Sequence, residues 1–207
     1  AKAAAQTPEQ KQRVALFELG TWDYMTAGRQ RYLEHAKARF GGGGAVLRIP
    51  FAAQGVMLAD VAKFDPAEAL ALTPWRSPIA EPTRRELAAR FVHDGQYLYV
   101  RLEEQGDPAR IQCAADVVGG DYWQLLFASQ PGAPVHCLLV STAGKCLLDG
   151  QPFDARMEVD ALPNACVISL ALPLERLTAA PGEPIYLNVI RRSGLSDDQP
   201  MWSPSFG

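Results

Sequence analysis

The sequence has no charge imbalance, no long apolar run, few histidines and no paired-cysteine spacing, and each absence removes a class of function. Its 20 basic and 23 acidic residues are well mixed and leave a formal net charge of -3. No stripe of Lys and Arg is present to neutralise a phosphate backbone, and the pairs Arg84-Arg85 and Arg191-Arg192 are too short to make one. No nucleic-acid partner is therefore expected. No apolar run approaches the roughly 20 residues that cross a bilayer, so no membrane span is expected either. The four cysteines, Cys113, Cys137, Cys146 and Cys166, lack Cys-x-x-Cys spacing and no histidine stands beside them in ligand order, which argues against a zinc site, and no metal ligand is assigned. Each lies in an apolar stretch and reads as a buried thiol. A turn at Ala143-Gly144 pairs Lys145 with Thr142 and puts Cys137 and Cys146 out of register for a disulfide.

Catalytic signatures are equally scarce. The sequence holds no Gly-x-Ser-x-Gly elbow, no His-Glu-x-x-His pair and no EF-hand loop. Its three histidines are His35 in a helical stretch, His93 in a turn and His136 on a strand, and all read as ordinary surface or interface residues. Glycines 41 to 44 are followed by Ala45-Val46-Leu47 rather than Lys and Ser or Thr, so they read as a helix terminator and hinge, not a phosphate loop. The adjacent acids Glu103-Glu104 and Asp197-Asp198 sit in solvated-looking segments. Strand neighbours point to opposite faces, so neither pair can flank one glycosidic bond. No catalytic residue is assigned, no cofactor is expected, and the chain alone is not expected to be an enzyme.

What is present divides at about residue 44. Thr7-Pro8-Glu9-Gln10 reads as a helix start, with Thr7 as N-cap, Pro8 in the first turn and Gln10 completing a capping box. Apolar residues then recur at Val14, Phe17, Tyr24, Met25, Tyr32, Ala36 and Phe40, giving an amphipathic helix over about 8–40. Such a helix is about 45 Å long, more than one face of a small sandwich covers, so it is expected to join the chain to a missing domain. The chain begins Ala1-Lys2-Ala3, without initiator Met or signal peptide, and reads as a piece of something longer.

From residue 45 onward the pattern is of short strands: 45–49, 87–92, 97–102, 122–129, 135–141, 146–149, 155–162, 165–172 and 185–192. Asp94-Gly95 marks a hairpin. Strict alternation in 122–129 places Trp123, Leu125 and Phe127 on one face. With 17 Gly and 16 Pro as punctuation and no crossover helices, the expected fold is mainly β: an antiparallel two-sheet β-sandwich, jelly-roll or immunoglobulin-like, preceded by the long N-terminal α-helix. The expected division is 1–44 as helical segment and hinge, and 45–207 as sandwich.

Several segments occur in an order that resembles a known family. Phe91-Val92-His93-Asp94-Gly95-Gln96-Tyr97-Leu98-Tyr99-Val100 is followed by Gly120-Asp121-Tyr122-Trp123-Gln124-Leu125-Leu126-Phe127. Then come Ser141-Thr142-Ala143-Gly144, Leu172-Pro173-Leu174-Glu175-Arg176-Leu177, and Asn188-Val189-Ile190-Arg191-Arg192 with Trp202-Ser203-Pro204. Together they resemble the carbohydrate-binding module family 9-like and DOMON-like sandwiches over about residues 55 to 207. The helical segment Gln12-Arg13-Val14-Ala15-Leu16-Phe17 is similar to closing helices of bacterial glycoside-hydrolase-like proteins that end in such a sandwich. The resemblance implies a secreted or periplasmic accessory domain of a polysaccharide-processing protein. Its implied partners are a glycan and, through the helix, a missing catalytic domain.

The family's sugar clamp is not carried over. Val118 stands near its first tryptophan, Gln124 replaces its acid, Leu138 lies near its arginine, and the chain ends at Gly207 before the second tryptophan. Stacking and charge-assisted hydrogen bonds are the large terms in sugar recognition, and both are lost from those places. A remaining ligand face is expected on the outward side of the central sheet. There Gln124, Asn188 and Arg191 would make polar contacts, with Trp75 or Trp202 as a stacking surface. The alternative is a structural domain that buttresses its neighbour. A minor alternative is haem held as in DOMON-like sandwiches, with Met57, Met157 or Met201 opposite His136.

Overall fold

The computed structural model describes residues 7, 48–52, 69–76, 82–83, 85–111, 116–129, 133–177, 185–193 and 199–202. The expected N-terminal helix and the glycine run lie outside the described residues, as do His35, Met57 and Cys113. Among the described residues the strands are β1 (Leu70–Leu72), β2 (Leu87–His93), β3 (Tyr97–Gln105), β4 (Tyr122–Ala128), β5 (His136–Ser141), β6 (Cys146–Leu148), β7 (Gln151–Pro152), β8 (Arg156–Leu162), β9 (Ala165–Pro173) and β10 (Tyr186–Arg192).

They pair into two five-stranded sheets, in the orders β1-β2-β3-β9-β8 and β10-β4-β5-β6-β7. Every neighbouring pair is antiparallel. One apolar cluster joins the inward faces of both sheets, so the described part is a mainly β, two-sheet sandwich.

Alternation explains which side chains enter that core. Trp123, Leu125 and Phe127 of β4 are 2%, 0% and 0% exposed, as the period-two pattern requires. Phe91 of β2, Val100 and Leu102 of β3, and Ile168 and Leu170 of β9 meet them from the first sheet. Burial of each large apolar side chain contributes about 1.5–3 kcal/mol. Strands β1 and β7 go beyond the sequence expectation, since three and two residues are too short to show a period. No strand forms over residues 48–50; instead Phe51 pairs in parallel with His93, which is the last residue of β2 rather than a turn residue.

The Asp94-Gly95 hairpin is held from both sides. Gly95 takes φ +88°, a conformation that L side chains rarely adopt. Asp94 accepts from the amides of Gln96 (2.8 Å) and Tyr97 (2.7 Å) and from the Tyr99 hydroxyl (2.6 Å). Burial pushes the Asp94 carboxyl up, but these hydrogen bonds outweigh it and hold it below the ordinary value. Burial and the Asp94 carboxylate in turn raise the Tyr99 hydroxyl.

The β5–β6 hairpin pairs Val140 with Cys146, so Cys146 faces inward while Cys137 faces outward. Both are free thiols on opposite sides of the sheet. Burial pushes the Cys146 thiol up to about 12, which keeps it neutral and unreactive. Among the described residues no helix is long and apolar enough to cross a membrane.

Candidate functional site

The two sheets offer different outer faces. On the first, Val167, Ser169 and Ala171 of β9 point away from the core, yet they are 3%, 1% and 2% exposed. Val92, Tyr99 and Ala171 form a small apolar cluster there with Ala52, Ala69 and Tyr97. Beside it Glu103 takes Arg90 at 2.7 Å and Arg101 at 2.5 Å. Burial raises the Glu103 carboxyl, and the two guanidinium groups more than offset it, so its value is lowered. The centre of this face is closed.

The second sheet's outer face is mixed: Tyr122, Gln124, Leu126 and Leu139 are half-buried, while Ser141, Ile190 and Asn188 are buried. In β10 the register pairs Leu187, Val189 and Arg191 with the inward residues Phe127, Leu125 and Trp123. Tyr186, Asn188, Ile190 and Arg192 therefore face outward, beside Tyr122, Gln124 and Leu126 of β4. Tyr122 pairs with Arg192 on one side and Ser141 on the other. Arg192 donates through Nε to Gln124 Oε1 at 3.0 Å and through Nη1 to Gln199 Oε1. Gln124 turns its amide nitrogen to Cys137 Sγ at 3.3 Å. Tyr122, Gln124, Arg192 and Gln199 are all half-buried, so this polar row is partly shaped yet reachable from solvent.

Of the residues expected on this face, Gln124 and Asn188 are there. Asn188 is 8% exposed and its Oδ1 accepts from the Val189 amide at 2.9 Å. Arg191 is not: it enters the sandwich and is 0% exposed. Its Nε reaches Glu104 Oε2 at 2.7 Å, and its Nη2 lies 2.6 Å from the same oxygen and 3.3 Å from Asp121. The guanidinium also lies 5.7 Å from the centroid of the Trp123 ring. Glu104 belongs to β3, so this cluster ties one sheet to the other; its second oxygen takes Arg85 at 2.6 Å. Glu103 and Glu104 do face opposite sides, but both are arginine-paired rather than solvated.

The tryptophans are elsewhere too. Trp75 is 6% exposed and meets Trp123 edge-on, with centroids 5.6 Å apart, inside the core. Trp202 is half-buried against the core, its amide donating to Val189 O at 2.9 Å as residues 200–202 run along the free edge of β10. The residues sequence reasoning missed are Tyr122, Arg192 and Gln199. Period two alone finds Arg192, since it shares parity with Asn188 whereas Arg191 shares it with Val189.

The positions of Val118 and Leu138 are also visible. Val118 is 59% exposed on a 3-10 turn, Val117–Gly119. Leu138 points into the core, and Leu139 is the outward neighbour of Gln124. A separate hollow of about 520 Å3 lies at the sandwich end, lined by Arg85, Glu86, Glu104, Asp107, Arg110 and Asp121 among others. For haem, Met157 packs inside with Sδ 3.9 Å from Cys146 Sγ, Met201 pairs with Ile190 and Arg76, and His136 holds Asp149 at 2.8 Å. That geometry gives no reason to place haem here. Among the described residues no group of three or more His, Cys, Asp or Glu is arranged to hold a metal ion.

No protein-family model and no curated protein matches the sequence. Several solved structures are similar to it, two of them as follows. One is a carbohydrate binding module family 9 from Caldicellulosiruptor kristjanssonii in complex with glucose, 12% identical, with a TM-score of 0.49, covering 75% of this chain and 83% of that one. The other is a carbohydrate binding module family 9 from the same organism in complex with cellotriose, 12% identical, with a TM-score of 0.44, covering 76% and 79%.

Proposed function

We propose that this chain is a non-catalytic sandwich module of a larger polysaccharide-processing protein, joined to a catalytic domain through its N-terminal segment, and that it holds glycan on the outer face of sheet β10-β4-β5-β6-β7. The observation that carries the reading is the half-buried row of Tyr122, Gln124, Arg192 and Gln199. Sugars are recognised by planar amide and guanidinium groups that meet hydroxyls, and by an aromatic face beneath the ring. This row supplies both kinds on one strand pair. The closed centre of the other sheet's outer face leaves the second sheet as the better platform.

The acids near the sandwich end support a binding role over a catalytic one. Glu103 and Glu104 face opposite sides and each is neutralised by arginine, so neither is poised as a general acid opposite a nucleophile. The test is calorimetric titration of the intact chain with a panel of plant and microbial oligosaccharides. Binding is expected for at least one, with Tyr122→Ala and Gln124→Ala each weakening it about fivefold or more, in line with the loss of a stacking or hydrogen-bond contact. Absence of binding across the panel, with the fold intact by circular dichroism, favours the purely structural role instead.

A further inference from the structure

Arg192 is held differently from four other arginines of the sandwich. Arg85, Arg90, Arg101 and Arg191 each meet a carboxylate. Arg192 meets only the neutral amide oxygens of Gln124 and Gln199, and has no carboxylate partner among the described residues. These bonds engage Nε and Nη1, and Nη2 has no partner among the described residues. A half-buried guanidinium held in place by two amides, and facing no carboxylate among the described residues, is set to receive an anion; Asp197 and Asp198, which precede Gln199, lie outside the described residues.

The surroundings narrow the anion's chemistry. Among the described residues, the outward neighbours of Arg192 on the sheet are Tyr122, Gln124, Ser141, Ile190 and Leu139, of which Ser141 and Ile190 are buried, and none is a carboxylate. Tyr122 pairs across the ladder with Arg192, so an aromatic ring and a cation lie side by side on the surface. A sugar ring that carries a carboxylate can use both at once: the ring against Tyr122, the carboxylate on the guanidinium fork.

We propose that this face selects acidic glycans, and that a uronic-acid unit docks its carboxylate on Arg192 with Gln124 and Gln199 fixing the guanidinium. The proposal rests on the glycan reading of the same face and names its ligand class. The commitment is to the carboxylate of a uronate, whose two coplanar oxygens fit the guanidinium, with sulfated sugars as the competing outcome of the test.

The test uses the intact chain and three ligand sets: uronic-acid oligosaccharides from pectin, alginate and glucuronoxylan; the same oligosaccharides with their carboxyls methyl-esterified; and neutral and sulfated oligosaccharides of like length. At least one uronate is expected to bind about tenfold or more tightly than its methyl ester, with affinity falling as salt rises. Arg192→Gln is expected to bring the acid form down to the level of the ester, and Arg192→Lys to retain part of the difference. Because the ester comparison needs no variant, a poorly folded variant does not decide the matter. Equal binding of acid and ester, binding of neutral or sulfated sugars alone, or a full-strength Arg192→Gln overturns the uronate assignment and leaves the glycan face standing. Binding of no sugar in any set overturns both.

Discussion

Because neighbours on a strand face opposite ways, Arg191 enters the sandwich while Arg192 leaves it, and the two have different consequences. Arg191 is a fully buried cation whose charge is matched by Glu104 and Asp121. Removing Arg191 leaves Glu104 with Arg85 alone and takes a cation from buried Asp121, a loss of about 3 kcal/mol. Arg191→Met is therefore expected to lower unfolding free energy by about that much in urea melts, while Arg192→Gln should change it by under about 1 kcal/mol. Comparable losses in the two variants would contradict the assignment of one to the core and the other to the surface.

Glu103 makes a second residue-scale prediction. Burial raises its carboxyl, and the pairs with Arg101 and Arg90 lower it by more, so its folded value lies below its ordinary 4.5. A depressed carboxylate contributes stability that is fully present above about pH 4.5 and is lost as pH falls through the folded value. Glu103→Gln should thus be less stable than the parent at pH 7, and the gap should narrow on acidification to pH 3. A gap that stays constant with pH rules out this ion pair as its source.

At the scale of elements, β4 is the strand on which the fold assignment turns. Its inward Leu125 is 0% exposed and its outward Leu126 is half-buried. Leu125→Ala should cost about 2–5 kcal/mol, because burial is lost and a cavity remains; Leu126→Ala should cost under about 1 kcal/mol. Similar costs for both would mean the strand does not present alternate faces to core and solvent.

The alternation behind this prediction is legible in the sequence, as are the Asp94-Gly95 hairpin and eight of the strands, with small shifts at their ends. The short strands β1 and β7 are not, because three residues or two carry no period. The site is less legible, and parity is the main reason. Residue type alone groups Asn188 with Arg191, though an odd separation on a strand puts them on opposite faces. The indoles of Trp75 and Trp202 carry as much apolar area as a core residue needs, and the structure buries the first almost wholly and the second in part.

For the molecule as a whole, the outer faces of the two sheets differ in how deeply their central residues are buried. Val167, Ser169 and Ala171 lie buried on the outside of one sheet, and the Tyr122–Arg192 row lies half-exposed on the outside of the other. The end hollow near Arg110 and Asp121 is a competing place for a polar ligand, since it is lined by charges of both signs. The most direct measurement is a nitrogen-15 NMR titration of the chain with the tightest-binding oligosaccharide from the panel. The account predicts shifts concentrated at Tyr122, Gln124, Asn188, Arg192 and the side-chain amides of Gln124 and Gln199, with little change at Asp107, Arg110 or Gly106. Shifts concentrated at those last three residues, with the second sheet unmoved, would contradict the central claim and place the ligand at the sandwich end.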